Sequence, residues 1–239
     1  MVLPAHGCPV YNFKPRITLG NDLLLPASLY GIRIPPGLSP SGIPAPNFVT
    51  PAVMVSMLKD PQSHHQTGLH VVHGLTTSEF GASFANIAQQ WRQVPKGSSA
   101  PFWQFYGGDV YLDLTITVSV LEGDRPQPND DLSRRIFAII MEHELLHVLD
   151  EIEIVRTWMP TKLPADNMVL KYLTNAEPVD NAMFQSWFKG SGFSDWLKGG
   201  FWAPEHVRRG SLRDSPAQRA ALEDQINDLR IKMVNRPSP

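Results

Sequence analysis

From Val110 to Val120 every even-numbered position is apolar, running Val110, Leu112, Leu114, Ile116, Val118, Val120, while the odd positions carry Tyr111, Asp113, Thr115, Thr117 and Ser119. Strict alternation with so many β-branched residues predicts a strand with one buried and one wet face. A polar turn follows, from Glu122-Gly123-Asp124 to Pro128-Asn129. Beyond it, Leu132 to about Leu149 contains neither Gly nor Pro, and its residues favour helix. Asp130 and Asp131 stand where an N-cap and a first-turn acid belong, because a carboxylate there satisfies free amides and complements the helix dipole. A half-buried strand leading into one long helix is the frame on which everything else must pack.

That helix carries His143-Glu144-Leu145-Leu146-His147. Residues four apart lie one turn above each other on the same helix face, so the two histidines can offer two imidazole nitrogens to one metal ion. Glu144, swung about 100° round the axis, can reach the metal's open side without ligating it. Zinc at such a site polarises a carbonyl and lowers the pKa of water toward ~7, and the neighbouring carboxylate can move that water's proton. Ile140, Met141, Leu145, Leu146, Val148 and Leu149 are uncharged, so the helix is expected to be buried on its other sides. A buried imidazole pair without a partner would cost a few kcal/mol, which metal binding removes.

Over Ile140–Leu149, and more loosely in the order strand then active-site helix, the chain resembles the HExxH zincin metallopeptidases, closest to their gluzincin branch. The resemblance implies a zinc endopeptidase with His143 and His147 as ligands, Glu144 as general base, Zn2+ as cofactor and a protein or peptide as substrate. It also implies an α+β, zincin-like fold: a small mixed sheet, an active-site helix and C-terminal helices, with the sheet edge pairing to extended substrate.

A catalytic zinc needs a third protein ligand, and here the standard patterns fail. The metzincin glycine and third ligand would fall at Asp150 and Glu153, and without the glycine the helix would not turn. The GTxxD pattern is missing too. Gluzincins draw a Glu from a second helix, and Asn175-Ala176-Glu177-Pro178-Val179-Asp180 is a loose version of that pattern, making Glu177 the expected ligand. Asp180 is then an alternate ligand or a carboxylate steadying a histidine ring; both acids could instead serve a helix N-terminus. Asp150, on the histidine face, is an alternate ligand, a partner of His147 or a solvated helix-end acid. His206 is an alternate that could donate to the tetrahedral intermediate. The cluster His64, His65, His70 and His73 is read as surface or cleft-rim histidines, and Tyr106, Tyr111 and Tyr172 as undifferentiated oxyanion donors.

Elsewhere the reading is coarser. Residues 1–51 hold ten of the 22 prolines, which predicts an extended, turn-rich arm with little regular structure, packed by its apolar residues on a domain of residues 52–239. Residues 52–58 are strand or helix. Thr76-Thr77-Ser78-Glu79 has capping-box spacing, and Phe80, Phe84, Ile87 and Trp91 fall on one helical face, predicting a helix that ends at Pro95. Short helices are expected over 165–173 and from Asn175 to Gly190, a Gly- and aromatic-rich packed loop over 189–204, and a final helix from Ser215-Pro216.

Net charge is −2 without a basic cluster, so neither nucleic acid nor an anionic membrane is an expected partner. The single cysteine, Cys8, cannot close an internal disulfide and is read as an incidental thiol. No window has the length of a membrane span and no cleavable signal is written at Met1, which predicts a soluble protein, exported if at all by another route. That combination would suit a delivered effector or toxin domain. The competing reading is a non-enzymatic binding or structural module whose zinc is closed by four protein ligands.

Overall fold

In the computed structural model, residues 11–20, 25–39, 43–58, 72–86, 91–95 and 101–236 are described. The fold is mixed α and β with a small sheet. The alternating segment forms the long strand β6 (Gly108–Leu121), and β1 (Tyr11–Leu19), β2 (Asn47–Val49) and β3 (Gly74–Phe84) all pair with it. β2 runs parallel to it, with Asn47 opposite Ser119 and Val49 opposite Leu121. Val110, Leu112, Leu114, Ile116, Val118 and Val120 are fully buried, as period two requires. A separate antiparallel hairpin joins β4 (Trp91–Pro95) to β5 (Pro101–Phe105).

The described chain divides into two compact units. One comprises Met1–Ile17, Phe80–Leu114 and Glu153–Glu205. Its core is aromatic: Trp91 packs on Phe105, Phe184 and Phe188, while Phe80 stacks on Trp202. Lys14 pairs with Asp109 and Arg16 with Asp113, tying β1 to β6 on the outer face. The helical part of this unit alternates ordinary turns with π-helical ones, at Ile154–Trp158, Val169–Thr174, Phe184–Lys189 and Lys198–Trp202.

The other unit comprises Thr18–Glu79, Thr115–Ile152 and His206–Pro239. Helices α1 (Ala27–Tyr30) and α2 (Pro51–Leu58) come from its N-terminal part, and α3 (Asp131–Glu153) is its long central helix. Asp130 Oδ1 accepts from the Leu132 amide at 3.0 Å, the expected cap. Ile136, Phe137, Ile140, Met141, Leu145 and Val148 are buried, with Phe137 against Tyr30 and Phe48. Arg33 clasps Glu142 with both guanidinium and backbone amide. Short helices α4 (Met159–Lys162), α5 (Asn181–Met183) and α6 (Gly192–Leu197) belong to the first unit; α7 (Ala203–Arg213) and α8 (Pro216–Val234) complete the chain.

Three expectations are corrected. The Pro-rich arm contributes two strands, β1 and β2, and the helix α1; Pro15 is tolerated because β1 pairs with β6 alone among the described residues. Residues 74–84 are strand β3, not a helix: Thr76, Ser78 and Phe80 are buried while Thr77 and Glu79 face outward. A spacing of four is a multiple of two, so Phe80 and Phe84 share a strand face as readily as a helix face, and the β-branched threonines favour the strand. The expected loop over 189–204 is helical in α6, the turn Lys198–Trp202 and the start of α7, because burial of Phe193, Leu197 and Trp202 outweighs the helix penalty of its glycines. Cys8, His64, His65, His70 and Ile87 lie outside the described residues.

Candidate metal centre

Because α3 is unbroken across the motif, His143 and His147 stand one turn apart with their Nε2 atoms 3.3 Å from each other. Asp214, in the turn that follows α7, brings a carboxylate to the same point. Its Oδ1 lies 3.1 Å from His143 Nε2 and 3.3 Å from His147 Nε2. His147 and Asp214 are buried, and His143 keeps 15% side-chain exposure.

These three atoms fit a metal ion better than they fit one another. An imidazole Nε2 presents either an N–H or a lone pair, and a carboxylate oxygen presents only lone pairs. If both nitrogens carry protons, two N–H groups face each other; if one does not, a nitrogen lone pair faces the anionic oxygen. A cation accepts all three lone pairs at once. The spacing agrees, since donors about 2.0–2.1 Å from a tetrahedral zinc stand roughly 3.3 Å apart. Asp214 also ends a helix, where an anion opposes the dipole, so its placement against two imidazoles calls for positive charge. Arg219 Nη2, 3.6 Å from Asp214 Oδ2, supplies part of it.

Burial depresses the affinity of His147 for a proton, but the bond to Asp214 and the charges of Glu144, Asp214 and Asp150 outweigh it and hold its pKa above the ordinary histidine value. The site is therefore electronegative, as a cation site should be.

Glu144 lies against β3 and is 2% exposed. Thr76 Oγ1 donates to its Oε2 at 2.7 Å and reaches its main-chain carbonyl at 3.3 Å. Beside it, Gly74 brings bare backbone against the carboxylate: a Cβ there would stand 2.7 Å from Oε1 and 2.8 Å from Cγ.

The other sequence candidates do not join the group. Glu177 lies in the first unit, half exposed and 3.9 Å from Lys171. Asp180 caps α5, its Oδ1 accepting from the Met183 amide at 2.7 Å; both acids thus serve local structure. Asp150 is neither ligand nor solvated acid: it is buried and gripped by Arg213 at 2.8 and 3.2 Å, with Arg209 3.6 Å away. His206 is buried in a close pair with Glu151. His73 is likewise buried, not at a rim, with Nδ1 2.7 Å from Asp124. Tyr111 lies under the Arg16 guanidinium. Asp214, the residue sequence reading missed, is 67 positions from His147; its only local signal is an acid immediately before the helix-opening Ser215-Pro216.

Comparison with protein-family models, curated proteins and solved structures finds no match.

Proposed function

We propose that this chain is a zinc-dependent endopeptidase in which His143, His147 and Asp214 hold the ion and Glu144 moves the proton. The observation that carries this reading is the triangle of Nε2, Nε2 and Oδ1 with sides of 3.1 to 3.3 Å, one residue from a carboxylate. Two imidazoles and a carboxylate are a ligand set that zinc accepts while keeping a fourth position for water or substrate. When bound, zinc would act as a Lewis acid toward the attacking water and the scissile carbonyl.

The chain's own groups do the rest. Glu144 takes the proton that water loses on attack and delivers it to the leaving amine, so one carboxylate serves as base and then acid. Its burial keeps bulk water from competing for that proton. β3 pairs with no strand but β6 among the described residues, which leaves backbone beside Glu144 able to align an extended peptide by strand addition.

The test is direct. Purified protein should hold one equivalent of zinc and cut an unstructured polypeptide such as casein. Glu144→Gln should keep the zinc and lose ~10²–10⁴-fold in kcat, whereas His143→Ala should lose the metal. Full activity in the Glu144 variant, or a zinc-bound structure with four protein ligands, overturns the reading.

A further inference from the structure

We infer that Thr76 is a positioning residue for Glu144, and that Gly74 and Thr76 together make β3 the cradle of the base; this rests on the reading of Glu144 as the group that moves the proton. An ionised carboxylate only accepts hydrogen bonds, and a threonine hydroxyl has one proton to give. The 2.7 Å contact from Thr76 Oγ1 to Oε2 is therefore a charge-assisted bond, made inside a buried site where it is not diluted by water. On the other oxygen the constraint is steric. Gly74 lets the strand lie so close that any side chain there would strike Oε1, Cγ and Ile140 Cγ2, at 2.7, 2.8 and 2.9 Å. One oxygen is held by a donor and the other is confined by bare backbone.

The same hydroxyl has a second acceptor within reach, the main-chain carbonyl of Glu144 at 3.3 Å. While the carboxylate is ionised, Thr76 donates to Oε2. With the carboxylate and the main-chain carbonyl of the same residue both within its reach, the hydroxyl ties Oε2 to the backbone of α3.

Thr76→Val removes the hydroxyl at nearly constant volume, and Thr76→Ser restores it. In Thr76→Val we expect zinc content to stay at one equivalent, KM to stay within about threefold and kcat to fall roughly 10–100-fold, the scale of a misplaced catalytic group. Thr76→Ser should recover kcat to within about threefold. Crystal structures of the zinc-loaded wild type and Thr76→Val should show the Glu144 carboxyl turned away from residue 76 in the variant. Gly74→Ala, if it folds, should displace the same carboxyl by contact. Wild-type kcat in Thr76→Val, or a serine variant no better than the valine one, overturns the inference. If the wild type cleaves nothing, the peptidase reading has failed by itself; the structural comparison still decides the cradle, and an unmoved carboxyl in Thr76→Val overturns it.

Discussion

Asp214 meets two imidazoles at hydrogen-bond distance while sitting at the end of a helix, and a single substitution separates its role from that of Glu177. Asp214→Ala should weaken zinc binding by at least 100-fold in a competition titration, whereas Glu177→Gln should leave it unchanged; equal affinities for the two variants would return the third ligand to doubt. His147 adds a pH signature. Its folded pKa is raised above about 6.5, so in metal-free protein the charged imidazole contributes stability that is present below that value and lost as pH rises through the raised one. Zinc needs the neutral ring, so its binding gains over the same range. The rise in Tm on adding zinc should therefore grow from pH 6 to pH 8; a rise that is flat across that window would show that His147 is not a ligand. The pairing of His143 with His147 was legible because helical spacing alone puts the two rings together.

At the scale of elements, α3 and α7 are fastened where the site needs them. Asp150, two turns beyond His143, receives a two-point grip from Arg213, and Arg213 immediately precedes Asp214. The bidentate pair is stronger and more directional than an ordinary ion pair, so it sets how the end of α7 meets the histidine face. Arg213→Gln should loosen Asp214 and lower zinc affinity about 10–100-fold, as losses around metal ligands do, and calorimetric titration with zinc measures it; an unchanged affinity would make the grip structural only. On α3, Leu145, which stands between His143 and His147 in sequence, is fully buried, and Leu145→Ala should cost about 2–5 kcal/mol in denaturant unfolding. Sequence reading found α3, β6 and α8 because their periods are long and uniform. It misread β3, since a capping-box spacing and a four-residue aromatic repeat are compatible with both helix and strand until neighbouring β6 supplies the hydrogen bonds.

For the molecule as a whole, two linkages tie stability to solution conditions. Among the described residues no helix is long and apolar enough to cross a membrane. A ligand that binds only folded protein adds about 2.7 kcal/mol at 100 times its Kd. EDTA should accordingly lower the Tm of the wild type and leave that of Asp214→Ala almost unmoved. The second linkage joins the turn after β6 to the residue before β3 and to α8. Burial works to raise the pKa of Asp124, but His73 at 2.7 Å and Arg230 at 2.6 Å outweigh it and hold the carboxyl below its ordinary value. That contribution is complete above the unfolded value of about 3.9 and disappears as pH falls through the lower folded one. Asp124→Asn should flatten the acid limb of a Tm profile between pH 2 and 5, and an unaltered limb would place the acid sensitivity elsewhere. By itself the sequence determined the alternating strand, the capped helix and the face on which two imidazoles stand, because these follow from periods of two and 3.6 residues. Only tertiary structure decided that Asp214 completes the triangle, that Glu177 and Asp180 serve local contacts, and that Thr76 and Gly74 lie against Glu144. Those choices depend on which distant backbone arrives beside α3, and no spacing along the chain encodes them.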